Sequence, residues 1–202
     1  NLDNGYHHQF TRNMLQLNNS DGTFSEIGRF AGVNATDWSW GALLVDLDND
    51  GLKDIFVANG IFKDLTDQDY LQFFSNRDMV MSVITDNKVD YGKLIDAIPS
   101  VKIPNYAFKN LGNNQFKNLA FEWGLAEPSF SNGSAYGDLD NDGDLDLVVN
   151  NVNMPVFIYK NNADKSLPNN HYLKLILKGE GANTQAVGTR ITAIHHGSYT
   201  SI

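Results

Sequence analysis

Shifted by 92 residues, this sequence falls onto itself. Asn18 lands on Asn110, Phe24 on Phe116, Gly32 on Gly124, Gly41 on Gly133, Asp46 on Asp138 and Asn59 on Asn151, with no gap between residues 18 and 59. Fourteen of those 42 positions are identical, where average composition would give roughly 2 or 3 by chance. A repeat of this kind restricts the chain to architectures that stack one supersecondary unit on the next.

Each copy carries four short apolar runs bounded by Gly, Asn and Asp, which is how buried strands read. In the first copy a strand leads into the turn Asn18-Asn19-Ser20-Asp21-Gly22, whose Asp-Gly pair suits a tight hairpin. A second strand begins at Phe24, a third spans 41–45 and a fourth 55–58. The second copy repeats this from Asn110, through Phe116, over 133–137 and 147–150. A small antiparallel sheet of about four strands per copy is the size of a propeller blade. Composition agrees: Asp outnumbers Glu 20 to 4, beside 25 Asn and 17 Gly, and Asp and Asn favour turns and caps over helix interiors. The expected fold is all-β, a partial β-propeller of two four-stranded blades plus an N-terminal fragment.

Two segments break the pattern. Residues 61–104 read as a helical insertion, with Thr66 and Asp69 as a capping box. Tyr70, Phe73, Phe74, Val80, Met81 and Ile84 follow at helical spacing, and Tyr91, Leu94, Ile95 and Ile98 form a second stripe that Pro99 ends. Such stripes usually pack onto a core. After the polar stretch 161–170, His171 to Lys178 alternates with a period of 2, a strand signal, and a second alternating run spans Val187 to His196. Residues 1–165 are therefore expected to hold the blades and 171–202 to begin a separate small β domain.

The chemistry is concentrated in two nine-residue windows. Asp46-Leu47-Asp48-Asn49-Asp50-Gly51-Leu52-Lys53-Asp54 and Asp138-Leu139-Asp140-Asn141-Asp142-Gly143-Asp144-Leu145-Asp146 hold 9 of the 24 acids. Carboxylates at positions 1, 3, 5 and 9 converge if the loop curls, Gly at 6 permits the curl, and position 7 (Leu52 or Asp144) offers its carbonyl. Several charged hard oxygens on a flexible loop suit Ca²⁺ better than Mg²⁺, which keeps its waters. An EF-hand starts the same way but needs Glu at position 12, where Val57 and Val149 stand, and helical flanks, where these are strands. Two calcium-clipped hairpins are expected, with Asp46, Asp48, Asp50, Leu52, Asp54, Asp138, Asp140, Asp142, Asp144 and Asp146 as ligands.

These motifs resemble FG-GAP or VCBS repeats, as found in integrin α-subunit propellers and bacterial surface proteins. The turn from Asn18 to Phe24, the pairs Gly32-Val33 and Gly124-Leu125, and the two Asp windows carry the resemblance. The stretch from His171 to Ile194 is similar to the start of an ASPIC/UnbV domain, which follows such repeats in cartilage acidic protein and its bacterial relatives. The resemblance implies a calcium-bearing propeller that is extracellular, on the cell surface or periplasmic, and works in adhesion or recognition of a protein or glycan. A full propeller needs more blades, so further blades of the same polypeptide are expected upstream.

Other function classes are weaker. The net charge of −9 argues against a nucleic-acid partner, and no apolar run is long enough to span a membrane as a helix. The absence of Cys excludes disulfides and thiolate metal sites. No phosphate loop, nucleophile elbow or Ser/His/Asp signature occurs. An enzyme, carbohydrate-active and with its active site on blades outside this chain, is the alternative expectation. A structural subunit docking through the 61–104 helices is another. Trp38, Trp40 and Trp123 are expected to pack between blades, with sugar stacking as the functional alternative. The pairs His7-His8 and His195-His196 lack the further ligands a zinc site needs.

Overall fold

The computed structural model describes residues 12–77, 81, 84–85, 88–195 and 198–201. The chain divides into two compact units, Asn1–His171 and Tyr172–Ile202. Nearly all regular structure is antiparallel β, with a few short helices.

In the first unit, β1 (Gln16–Asn18) and β2 (Phe24–Glu26) form a hairpin, and α1 (Gly28–Ala31) follows. Next come β3 (Ser39–Val45) and β4 (Asp54–Asn59). The insertion holds α2 (Gln68–Ser75), a short hairpin of β5 (Ile84–Thr85) and β6 (Lys88–Val89), and α3 (Tyr91–Asp96). The repeat resumes with β7 (Tyr106–Asn110), β8 (Phe116–Asn118), β9 (Ser131–Gly137), β10 (Asp146–Asn151) and β11 (Phe157–Tyr159), and α4 (Ala163–Ser166) closes the unit.

The strands group differently from the sequence copies. The four-stranded sheet runs β3-β4-β7-β8 and the three-stranded sheet β11-β10-β9. Each sheet of the repeat region therefore starts with the second half of a copy, and the first sheet is completed by the first half of the next. The cause lies in β4, whose six residues are all buried. A strand in that position needs a neighbour on both edges, and it takes β3 across the Asp loop and β7 across the insertion, with Ile55 opposite Phe108 and Val57 opposite Tyr106. Between β2 and β3, by contrast, α1 and Gly32 at φ 79° turn the chain away to a different sheet.

Alternation along β4 feeds two cores. Phe56 and Ala58 pack with Ala107, Ala120, Leu125, Leu147 and Val149, joining the four-stranded sheet to the three-stranded one. Ile55 and Val57 point to the other face, with Phe108, Ala31 and Val33, onto the N-terminal segment. The four-stranded sheet is covered on both faces, by the three-stranded sheet on one and the N-terminal segment on the other, as a blade within a propeller is. The fold is thus an all-β partial propeller.

The insertion departs from expectation in detail. The N-terminal cap of α2 is Asp67, whose Oδ1 accepts from Tyr70 N at 2.9 Å. Thr66 instead bonds Asp64. Asp90 caps α3 by accepting from Lys93 N at 3.1 Å. The apolar stripes pack only in part: Tyr70 and Ile98 are buried, whereas Met81, Ile84, Tyr91 and Ile95 are exposed. Val80 lies outside the described residues.

In the second unit, β12 (Thr192–His195) and β13 (Ser198–Ser201) pair as a hairpin, Ile194 opposite Tyr199. The strand expected over 171–178 is absent: these residues form no ladder, and Leu173 and Ile176 are exposed. A period of 2 marks a chain suited to a sheet, but a strand exists only where a neighbour accepts its N–H and C=O groups.

Candidate metal centre

Both Asp loops connect the first two strands of a sheet, β3 to β4 and β9 to β10, so one geometry is built twice. In each, positions 4 and 6 adopt left-handed backbone: Asn49 at φ 56° and Gly51 at 87°, Asn141 at 63° and Gly143 at 93°. Asn tolerates this region and Gly adopts it freely. Two left-handed residues bracketing position 5 curl the chain and turn the carboxylates at 1, 3 and 5 inward. Asp46, Asp48 and Asp50 come together with oxygens within 4.8 Å of one another, as do Asp138, Asp140 and Asp142. In the first loop, backbone donors hold the curl. Gly51 N reaches Asp46 Oδ2 at 3.0 Å, Asp50 N reaches Asp46 Oδ1 at 3.2 Å, and Leu52 N reaches Asp50 Oδ1 at 2.9 Å.

The carboxylate at position 9 stands outside these triads. Asp54 is fully buried and accepts from Leu47 N at 3.1 Å and Asn110 N at 2.8 Å. Asp146 does the same with Leu139 N at 2.9 Å and Asn161 N at 2.8 Å. Each therefore ties the start of its loop to the third strand of its sheet (Asn110) or to the residues just after it (Asn161). At position 7, Leu52 is 39% exposed, while Asp144 is fully buried.

Asp144 has a role the repeat alone did not show. Its oxygens accept from Asn49 Nδ2 and Asp164 N, both at 2.7 Å, so it bridges the two loops. It also forms a third acidic group with Asp142 and Asp164. Asn161 Nδ2 donates to the Leu47 carbonyl and Asn170 Nδ2 to that of Asp48, each at 2.7 Å. The loops are thus stitched together at one edge of the adjacent sheets.

Sequence reasoning missed a basic residue in each loop. Lys109 Nζ binds Asp48 and, at 2.8 Å, Asp50. Lys160 Nζ binds Asp140 and, at 3.2 Å, Asp142. The signal was present as Phe108-Lys109-Asn110 and Tyr159-Lys160-Asn161, an aromatic-Lys-Asn run after each loop. Burial alone would push the Lys109 ammonium down, but its hydrogen bonds to Asp48 and Asp50 and their charge hold it above its ordinary value.

The carboxyls respond to the same crowding. Burial pushes Asp54 up to about 6, against the lowering pull of the Asn110 and Leu47 N–H groups. Burial also raises Asp46, with repulsion from Asp50 and Asp48 added, and it raises Asp144. Such groups hold protons more tightly folded than unfolded. The stability they contribute is present below the unfolded value near 4 and is lost as pH rises through the folded one. Hydrogen bonds hold Asp21, Glu26 and Asp64 below the usual range, so their contributions are lost only at lower pH. In chelator the protein should therefore gain on the order of 1 kcal/mol between about pH 7 and pH 5, through Asp54. Urea melts at the two pH values check this, and Asp54→Asn, which cannot titrate, should flatten the difference.

Of the three tryptophans expected to pack between blades, Trp40 does not, being 55% exposed. Trp123 lies against the core between the sheets. Trp38 and Trp40 stack on each other at 6.3 Å, and the Trp40 indole N–H donates to the Gly60 carbonyl. His7, His8 and His196 lie outside the described residues, and nothing is described of the His195 side chain.

Residues 6–57 match the FG-GAP-like repeat family, a span that runs from before β1 through the first Asp loop to Val57 in β4. With the sheets above, the match marks a β-propeller-type module. No curated protein matches the chain. Among the described residues no helix is long and apolar enough to cross a membrane.

Proposed function

We propose that the chain is a calcium-stabilised propeller module working outside the cytosol, secreted, on a cell surface or in the periplasm. There it recognises a protein or glycan as part of a larger polypeptide. Residues 1–165 supply blades, further blades of the same polypeptide complete the propeller, and 171–202 begin an ASPIC/UnbV-like β domain. The observation that carries the reading is the pair of carboxylate triads, Asp46/Asp48/Asp50 and Asp138/Asp140/Asp142, built in the same way on adjacent sheets. In both, an ammonium already stands among the oxygens, so the donor set fits a cation.

The ligands of the two ions are these six carboxylates. Asp54 and Asp146 close the loops and complete the sets, and Leu52 and Asp144 serve at position 7. Bound calcium would neutralise the crowded acids and pin each hairpin. With a Kd on the order of 10⁻⁴ M and about 1 mM free calcium, each site adds roughly 1.4 kcal/mol. Millimolar calcium is an extracellular condition, which supports the location. FG-GAP-like repeats are typical of extracellular proteins, and the match over residues 6–57 points the same way.

The test of the recognition role is capture of the intact chain on immobilised matrix proteins and polysaccharides, in 1 mM calcium and in EDTA. Retention on at least one surface in calcium, lost in EDTA and in Asp46→Ala, is the expected result. Equal retention in calcium and EDTA, or retention on none of the surfaces, contradicts it.

A further inference from the structure

The two lysines stand in equivalent places. Ile55 pairs with Phe108, and Leu147 pairs with Tyr159. Extending each register by one residue sets Lys109 beside Asp54 and Lys160 beside Asp146. In both cases the next residue, Asn110 or Asn161, donates its backbone N–H to the position-9 carboxylate at 2.8 Å. Its side chain donates to the position-8 carbonyl, Asn110 to Lys53 at 3.0 Å and Asn161 to Leu145 at 3.2 Å. The third strand of each sheet thus delivers one cation to its loop by the same construction. Both ammonium groups sit on the carboxylates at positions 3 and 5. A dication held by those oxygens would occupy the same place.

We propose that Lys109 and Lys160 are resident counter-ions of the two loops, and that calcium enters each loop by displacing its lysine. The inference rests on the calcium reading above and adds how the sites are tuned. Three carboxylates crowded without a cation would push a loop apart, and an ammonium holds it closed. The same ammonium opposes an incoming dication, because it must give up its carboxylates and still repels the ion from nearby. Each lysine therefore raises the stability of the calcium-free protein and weakens calcium binding. The lysines differ in exposure, the Lys109 side chain being 25% exposed and that of Lys160 50%. Solvent and salt screen the second more, so Lys109 should have the larger effect.

The test is calorimetric titration of the full chain with calcium, with thermal unfolding in EDTA alongside. For Lys109→Met, calcium should bind the first loop about tenfold more tightly, the effect of removing one nearby positive charge from a partly shielded site. The melting temperature in EDTA should fall by about 3 °C. Lys160→Met should show the same signs at the second loop with smaller size, and it reads the effect independently if Lys109→Met does not fold in EDTA. Calcium binding at unchanged or weaker affinity in both variants, with two ions bound by the unaltered chain, overturns the displacement while leaving the calcium reading intact. No calcium uptake by the unaltered chain overturns both.

Discussion

Gly60→Ala should lower stability by about 3 kcal/mol or more, enough to leave much of the chain unfolded at 37 °C. Gly60 follows β4 at φ 136°, a conformation that residues with a Cβ rarely adopt. A Cβ there would stand 2.9 Å from both Phe130 Cα and the Ser129 carbonyl oxygen, and 3.2 Å from Ser131 N. All three are backbone atoms at the entry to β9, so no side-chain rotation relieves the clash. The change forces apart β4 and β9, two of the strands through which the two sheets meet. Urea unfolding followed by tryptophan fluorescence measures the loss. A change under about 0.5 kcal/mol, the range of ordinary surface substitutions, would mean that the sheets do not approach as described.

Phe56→Ala should cost about 4 kcal/mol, the range for removing a large side chain from a core that cannot collapse into the gap. Phe56 is fully buried at the centre of the cluster shared by both sheets. Its ladder partner Leu43 is half-buried, and Leu44, one residue further along β3, is 56% exposed. Leu44→Ala should therefore change stability by less than about 1 kcal/mol. The contrast separates loss of the inter-sheet core from loss of β propensity. Comparable losses in the two variants would place the core elsewhere.

The Asp loops were legible in the sequence because their chemistry is local. Spacing 1, 3, 5 with Gly at 6 sets the curl and the inward carboxylates within a few residues, and the structure builds that curl twice. The left-handed Asn49 and Asn141 belong to the same local code. The grouping of strands was not legible, since a repeat has the same period wherever it is cut. Only the demand of β4 for two neighbours decides that Ile55 pairs with Phe108. The lysines were hidden for a related reason. Lys109 lies 61 residues from Asp48, across the insertion, and Lys160 only 20 from Asp140, so no common spacing ties them to the loops. The bridge from Asn49 to Asp144 spans 95 residues and depends on how adjacent sheets pack. At 171–178 alternation was read as a strand, and the described chain there forms no strand.

The central claim is that the two Asp loops hold calcium and that the fold depends on it. Thermal unfolding of the chain in EDTA, in 1 mM Mg²⁺ and in 1 mM Ca²⁺ tests it most directly, with Asp46→Ala and Asp138→Ala alongside. Two sites contributing about 3 kcal/mol together should raise the melting temperature by about 8 °C in calcium, little in magnesium, and by about half as much in either variant. An equal melting temperature in EDTA and calcium, for a folded sample, would contradict the account.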